Sequence, residues 1–351
     1  MILLRLMLRS NLIGLQPSEL EALAVSLGAS RYRGRQLATW IYRKGIVDLE
    51  SMTDLPRDVR ARLAETHEVA LPELERETPS QDGSRKLVFR LADDRRVSAV
   101  LMPDDGRTTL CLSTQVGCGF GCAFCLTGTM GLDRNLTAGE ILGQLIVANG
   151  LLGGDERVTH IVFMGMGEPL ANYANLVAAL RILVDARLGF GYSPRRLTVS
   201  TVGLVSGIDR LGREGLKVNL AISLHAASDD VRGRLMPVNR SWNLESLLAA
   251  VRRYPLAPRQ RVFFEYVMLA DVNDSPEEAQ RLARLLRGIR AKVNLIPFND
   301  WDGSGFRRPP LARILAFQAI LLEAGITTTV RWSKGEDIGA ACGQLKEPVV
   351  A

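Results

Sequence analysis

Apolar residues along the chain fall into two regimes. Up to about residue 75 they recur at helical spacing. Pro17-Ser18-Glu19-Leu20 opens a helix that carries leucine and alanine on one face to Leu27, and Gly28 stops it. A second helical stretch runs over 36–44, and a turn at Met52-Thr53-Asp54-Leu55-Pro56 leads into a third that ends near Glu65. Between Lys86 and Met102 the pattern shortens. Two apolar runs, 87–91 and 97–102, flank Asp93-Asp94-Arg95-Arg96 and predict a hairpin. A turn at Pro103-Asp104-Asp105-Gly106 and a strand over 108–113 follow. From there helices and strands alternate. Helices over 138–150, 175–186, 206–214, 244–254, 276–286 and 310–323 precede strands over 160–164, 196–200, 218–223, 262–267, 292–296 and 327–331. That order predicts an α/β fold, a partial or full TIM-type (β/α) barrel with a small helical accessory domain in front. The expected divisions are a helical domain over 1–75, a linker and hairpin over 76–110, the barrel over 111–335 and a C-terminal loop over 336–351. Functional residues of such a barrel belong at the C-terminal strand ends.

Composition narrows this only a little. The chain has 351 residues, 47% hydrophobic and 23% charged, as in ordinary globular proteins. A net charge of +6 suits a polyanionic partner, or reflects a general preference for arginine. The basic residues Arg31, Arg33, Arg35, Arg43 and Lys44 are interleaved with Tyr32, Trp40 and Tyr42, a mixture that fits RNA as well as a solvated helix over an apolar core. Arg195-Arg196 and Arg307-Arg308 are further candidates for phosphate contact. Arg5 and Arg9 interrupt the apolar N-terminal run, so no signal peptide is expected, and no run has the length of a membrane span.

The cysteines change the picture most. There are five, and four lie between Cys111 and Cys125. Clustering of this kind points to a reducing compartment, the cytoplasm, and to metal or redox chemistry. Cys118, Cys122 and Cys125 have the spacing C-x3-C-x2-C. Three thiolates for a four-iron cubane leave one iron open to a ligand, whereas a closed electron-transfer cluster takes four. Zinc ribbons and fingers bring two ligand pairs, and the chain has no second pair. The strand ends that follow are polar: Gly167-Glu168 after Gly165-Met166, then Ser200, then Ser223-Leu224-His225, then Asn299. Each alone reads as a turn or a cap. Together behind the cysteine loop they outline a cofactor pocket. Cys111 and Cys342 remain, as two inert buried thiols or as a cluster ligand plus a spare, although Cys342 is set among small residues and glycine, as in an exposed loop that could fold back over the barrel mouth.

The cluster spacing resembles that of radical-SAM enzymes. Longer matches are more specific. Leu110-Cys111-Leu112-Ser113, the cluster loop, Arg134-Asn135-Leu136-Thr137, Met164 to Leu170, Ser223-Leu224-His225, Leu235-Met236-Pro237, Val272-Asn273-Asp274, Asn294 to Pro297 and Asp337 to Leu345 resemble the RlmN/Cfr family of radical-SAM RNA methyltransferases. The resemblance implies a [4Fe-4S] cluster on Cys118, Cys122 and Cys125. It implies S-adenosylmethionine (SAM) held by Gly167, Glu168, Ser200, Ser223, Leu224, His225 and Asn299. It implies that Cys342 accepts a methyl group from one SAM, that a second SAM yields a 5′-deoxyadenosyl radical, and that the methyl carbon then joins an sp2 carbon of adenine. Cys111 would resolve the adduct through a transient disulfide with Cys342.

The implied substrate is C2 of an adenosine in 23S rRNA, and in some relatives of a tRNA adenosine. The implied electron source is a reductant such as flavodoxin or ferredoxin, and a monomer is expected. C8 methylation, as in Cfr-like members, and another radical-SAM reaction stay open, as does an iron–sulfur RNA-binding module that is not an enzyme. One position departs from the pattern. RlmN-type members carry a glutamate thirteen residues before the resolving cysteine, where this chain has Ser98. Serine without a partner is a poor base, so the proton acceptor is unassigned.

Overall fold

The computed structural model describes residues 9–347. The apolar N-terminal run for which no signal peptide is expected lies outside them, as does the end of the tail. The chain divides into two compact units. One comprises Met1–Glu73, Leu136–Arg157 and Ala174–Ser193, and the other Leu74–Asn135, Val158–Tyr173 and Pro194–Ala351. The first unit therefore includes helix Ala138–Gly150 and most of helix Tyr173–Val184 together with the N-terminal helices. Thr137 starts the former with a reciprocal capping box to Glu140.

The first unit contains helices Pro17–Ser26, Arg31–Ala38 and Arg57–Thr66. The second of these widens into a π turn over Thr39–Arg43. This turn carries part of the expected RNA-contacting mixture, and much of that mixture is committed internally. Tyr42 is core, 2% exposed, and its hydroxyl donates to the Leu15 carbonyl at 2.6 Å. Trp40 donates its indole N–H to the Asp54 carboxylate, and Arg43 donates to the Ala186 carbonyl. Arg35 pairs with Glu21 at 2.8 Å. Tyr32 is exposed, and the Lys44 ammonium lies 3.4 Å from the Trp40 ring centre.

The second unit is built on a ten-stranded sheet. From one edge its strands run Thr327–Val330, Ala291–Pro297, Val262–Met268, Asn219–Ser223, Leu197–Thr201, His160–Phe163 and Arg107–Cys111, each parallel to the next. Arg96–Asp104 then pairs antiparallel with Arg107–Cys111, and Arg85–Arg90 antiparallel with Arg96–Asp104. Glu73–Pro79 closes the order. This is the expected partial barrel with its hairpin.

The parallel strands do not read as unbroken apolar runs, as strands covered on both faces usually do. In Leu197–Thr201, Leu197 and Val199 are fully buried, while Thr198 and Ser200 line cavities on the other face. The same alternation sets Phe264 and Tyr266 in the core and turns Glu265 and Val267 toward a cavity. One face is thus core and the other is a polar lumen. Helix Leu311–Glu323 packs on the strands Thr327–Val330 and Ala291–Pro297.

Three elements were not expected. Helix Asp229–Leu235 is short and highly charged, and Ser228 caps it by accepting from the Val231 amide at 3.4 Å. Strand Glu73–Pro79 is charged at four of its seven positions, as befits the edge position it takes, where charge discourages further pairing. A ribbon of Gln115–Cys118 against Gly131–Asn135 brackets the cysteine loop. Among the described residues no helix is long and apolar enough to cross a membrane.

Candidate active site

The cysteine loop leaves the sheet directly after the strand that ends in Cys111. Gly117 makes its first bend at φ 72°, and a Cβ there would lie 2.0 Å from the Gly131 carbonyl oxygen, so only glycine fits. Farther along, the Ala123 amide donates to the Leu235 carbonyl at 2.9 Å and the Trp301 indole to the Phe124 carbonyl at 3.2 Å. Cys122 is buried, and Cys118 and Cys125 are half-buried. Burial pushes the Cys118 thiol up to about 11 and raises Cys122 and Cys125 as well; Cys125 adds to the rise at Cys118 and Cys122, and Cys342 to that at Cys125. Three soft thiols on one loop, within electrostatic reach of one another, suit an iron–sulfur cluster, whose irons each take one thiolate.

Beside the loop lies a cavity lined by Gly167, Glu168, Ser200, Ser223 and His225, with Cys125 and Cys342 at its rim. Gly167, at φ 95°, lets the backbone pass Gln115, whose side chain a Cβ would meet at 2.5 Å. The Gln115 side-chain oxygen accepts from the Glu168 amide at 2.8 Å and fixes that turn. The Glu168 carboxylate is buried and accepts from the Val202 amide at 2.8 Å and the Leu170 amide at 3.0 Å. Burial still outweighs these bonds and lifts its pKa to about 7. His225 sits at φ 59° with its Nδ1 accepting from the Val267 amide at 2.9 Å, and burial lowers it to about 3, so it is neutral.

Two of the expected cofactor residues do not line this cavity. Leu224 follows Ser223, is fully buried and is not part of the lining. The Asn299 amide group is spent on the Ser333 hydroxyl at 2.8 Å and the Cys342 carbonyl at 3.0 Å.

Cys342 is exposed at the tip of its loop. The Leu126 amide donates to the Gly343 carbonyl at 2.7 Å, which ties this loop to the cysteine loop. A second cavity, adjoining the first, is lined by Cys111, Cys125 and Cys342 together with Val100, Met164 and Arg331. All five cysteines are free, so the expected Cys111–Cys342 disulfide is not formed here. Burial pushes the Cys111 thiol up to about 12, the nearby Cys342 adding to the rise and the Arg331 guanidinium opposing it.

Several residues here were not anticipated. Arg331 and Glu265 are charged side chains on the lumen face, yet both belong to strands that read as structural. Arg232 is buried in full. It donates to the carbonyls of Val202 at 2.6 Å, Leu224 at 3.2 Å and Ser223 at 3.4 Å, and to Asn239 at 2.8 Å. It thereby staples the C-terminal ends of two neighbouring strands that bear Ser200 and Ser223. Burial lowers it to about 10. Arg232→Leu is expected to cost about 3–5 kcal/mol, because it strands buried acceptors, and Arg232→Lys to recover little, since an ammonium cannot fork among them. A urea-unfolding midpoint measures this. Of the barrel arginines, Arg195 and Arg196 precede their strand, at the end opposite Ser200, while Arg308 pairs with Glu336 at 2.5 Å.

A parallel-sheet barrel with a three-thiol loop at its C-terminal strand ends, beside a polar cavity, defines a radical-SAM enzyme. Residues 112–284 match the radical SAM superfamily, and residues 10–69 match the ribosomal RNA large subunit methyltransferase N-terminal domain. The dual-specificity RNA methyltransferase RlmN of Syntrophobacter fumaroxidans is 49% identical over 327 residues, covering 93% of this chain and 95% of its own length. That of Paracoccus denitrificans is 48% identical over 351 residues, covering 96% and 89%. The crystal structure of a radical SAM methyltransferase from Sphaerobacter thermophilus gives a TM-score of 0.91 at 47% identity, covering 95% of this chain and 98% of that one. The chain belongs to the RlmN family of radical-SAM RNA methyltransferases.

Proposed function

We propose that this enzyme methylates C2 of an adenosine in 23S rRNA, and of an adenosine in tRNA, consuming two SAM per turnover. One observation carries the reading: Cys111, Cys125 and Cys342 line one cavity beside the polar pocket of Glu168, Ser200 and Ser223. A thiol of the cysteine loop, an exposed loop thiol and a sheet thiol share a space, as a two-thiol reaction fed by a radical requires. The full-length similarity to enzymes described as dual-specificity RNA methyltransferases supports two classes of RNA. The 10–69 match supports RNA binding by the N-terminal helices, on which Arg31, Tyr32 and Lys44 are exposed.

In this reading Cys118, Cys122 and Cys125 hold a [4Fe-4S] cluster, which with SAM and an electron from flavodoxin or ferredoxin supplies a hydrogen-abstracting radical. Glu168 accepts from the SAM ammonium, and Ser200, Ser223 and His225 line its adenosine and carboxylate. Leu224 and Asn299 act from behind this wall, Asn299 by holding the Cys342 backbone. The Cys342 thiolate attacks the methyl carbon of a first SAM, S-adenosylhomocysteine leaves, and Cys342 carries the methyl as a thioether. After the methyl carbon has joined the adenine, the radical adduct must lose one electron, which the iron–sulfur group would take back, and the ring-carbon proton; the Cys111 thiolate then attacks the Cys342 sulfur. The S–C electron pair leaves with the carbon, which takes a proton and becomes the methyl group. The two sulfurs are left as a disulfide, which a thiol reductant opens before the next turn. The same chain would work as a cytoplasmic monomer.

Mass spectrometry of nucleosides from 23S rRNA and tRNA, treated anaerobically with the reconstituted enzyme, SAM and dithionite, tests this. The expected product is 2-methyladenosine in both. 8-Methyladenosine would move the enzyme to the Cfr-like reaction. Absence of 5′-deoxyadenosine would remove the radical mechanism altogether.

A further inference from the structure

One buried charge near the end of the described chain has no place in that reaction. The Glu347 side chain is 1% exposed. Its carboxylate lies 2.9 Å from the Lys86 ammonium and 3.3 Å from the Arg76 guanidinium, and it accepts a hydrogen bond from the Ser98 hydroxyl. Ser98 is itself fully buried, so its hydroxyl is committed to this contact. Arg76, Lys86 and Ser98 belong to the strands Glu73–Pro79, Arg85–Arg90 and Arg96–Asp104, which lie side by side at the antiparallel end of the sheet. A carboxylate taken out of water costs several kcal/mol unless ions and hydrogen bonds offset it. The partners differ in weight. The Lys86 side chain is 12% exposed and the Arg76 side chain 59% exposed, so Lys86 and Ser98 carry the contact and Arg76 adds little.

Between Cys342 and Glu347 the tail is tied down at each step. The Gly343 carbonyl accepts from Leu126, the Leu345 carbonyl accepts from the Thr127 hydroxyl, and the Leu345 side chain is 5% exposed. The upstream end of the loop is fastened as well. The Gly335 amide donates to the Asp82 carboxylate at 2.9 Å, and the Gln81 amide to the Asp337 carboxylate at 3.1 Å. Both ends of the loop are thus fixed to the edge strands and their turn, while Cys342 between them is exposed.

We propose that Glu347 is a positioning residue. Its ion pair with Lys86 and its hydrogen bond with Ser98 latch the downstream end of the Cys342 loop to the sheet. The latch keeps the thiol over the cavity that Cys111 lines, without touching substrate or cofactor. Its use in catalysis rests on the reading that Cys342 carries the transferred methyl; the latch itself does not.

The first measurement is therefore made on the metal-free chain, by hydrogen exchange of the Leu126 and Gln344 amides. These donate to Gly343 and to Ala341, the latter at 3.0 Å. In Glu347→Gln their exchange is expected to rise about a hundredfold, the scale of removing one member of a buried pair, while exchange in the central strands stays unchanged. The double reversal Glu347→Lys with Lys86→Glu is expected to restore protection. Unchanged exchange in Glu347→Gln, or no recovery in the double reversal, overturns the latch. The second measurement is on the reconstituted enzyme. Glu347→Gln is expected to form 5′-deoxyadenosine as the wild type does, with several-fold fewer methylated adenosines per deoxyadenosine. Ser98→Glu with Glu347→Ala keeps a carboxylate at the strand but leaves the tail no polar side chain to hold it, and is expected to stay uncoupled. If it regains full coupling, the carboxylate acts locally on the reaction and the positioning role is lost. Wild-type RNA methylation without methyl-Cys342 would sink the proposed reaction and leave the exchange result standing.

Discussion

Cys342→Ala is expected to abolish RNA methylation. The loss should reach at least about 10⁴-fold, the range in which removal of a covalent nucleophile acts. No other thiol can substitute, because Cys111 is on a sheet strand and 8% exposed, and the remaining three are in the cysteine loop. The variant should fold normally, since the Cys342 side chain is exposed and the Asn299 bond goes to its backbone carbonyl. The contrasting variant, Cys111→Ala, leaves the proposed methyl-accepting thiol in place and removes only the group proposed to break the S–C bond. It should accumulate RNA joined covalently to protein, visible as a band that survives denaturing electrophoresis. Methylated adenosine from Cys342→Ala at the wild-type rate would end the two-thiol mechanism. A lack of adduct in Cys111→Ala would assign its step elsewhere.

The second large effect lies in the cysteine loop. Cys122→Ala is expected to lose the brown iron–sulfur chromophore on reconstitution, and with it 5′-deoxyadenosine formation and all RNA methylation. Cys122 is the most buried of the three and lies within electrostatic reach of both other loop thiols. Two thiolates cannot hold the cluster with a single iron left open. Iron content and the visible spectrum check the binding. Urea unfolding of the metal-free chain separates it from stability, which should change by less than about 1.5 kcal/mol for replacing a small buried thiol. A full chromophore in Cys122→Ala would mean that another residue ligates.

The order of strands and helices was legible because a helix with an apolar face precedes each parallel strand after the first. The predicted strand over 262–267 is Val262–Met268, and the predicted helix over 138–150 is Ala138–Gly150. What escaped is of one physical kind. Helix Asp229–Leu235 is held by a buried arginine and by caps rather than by an apolar stripe, and Glu73–Pro79 is a charged edge. Neither has the periodicity that a pattern reads. The site was legible where chemistry is local in sequence, as in Cys118, Cys122 and Cys125. It was not legible where function depends on partners far apart. Arg232 reads as a surface arginine until its carbonyl acceptors are known. Tyr42 reads as a base-stacking residue until its hydroxyl is seen bound in the core. Ser98 reads as a gap in the pattern until Glu347 is found bonded to it, 249 positions away.

The placing of Cys111 makes reactivity a question of parity. Its strand is where the sheet changes from parallel to antiparallel, and Cys111 is in register with Val100 on one side and Val162 on the other. Val100, Val162 and Cys111 all border the cavity, while the adjacent Leu110 is fully buried. An odd shift in either pairing would exchange Cys111 for its neighbour and turn the sulfur into the core. The sheet thus counts in twos, and that counting, more than any contact the sulfur makes, decides that this thiol can meet Cys342.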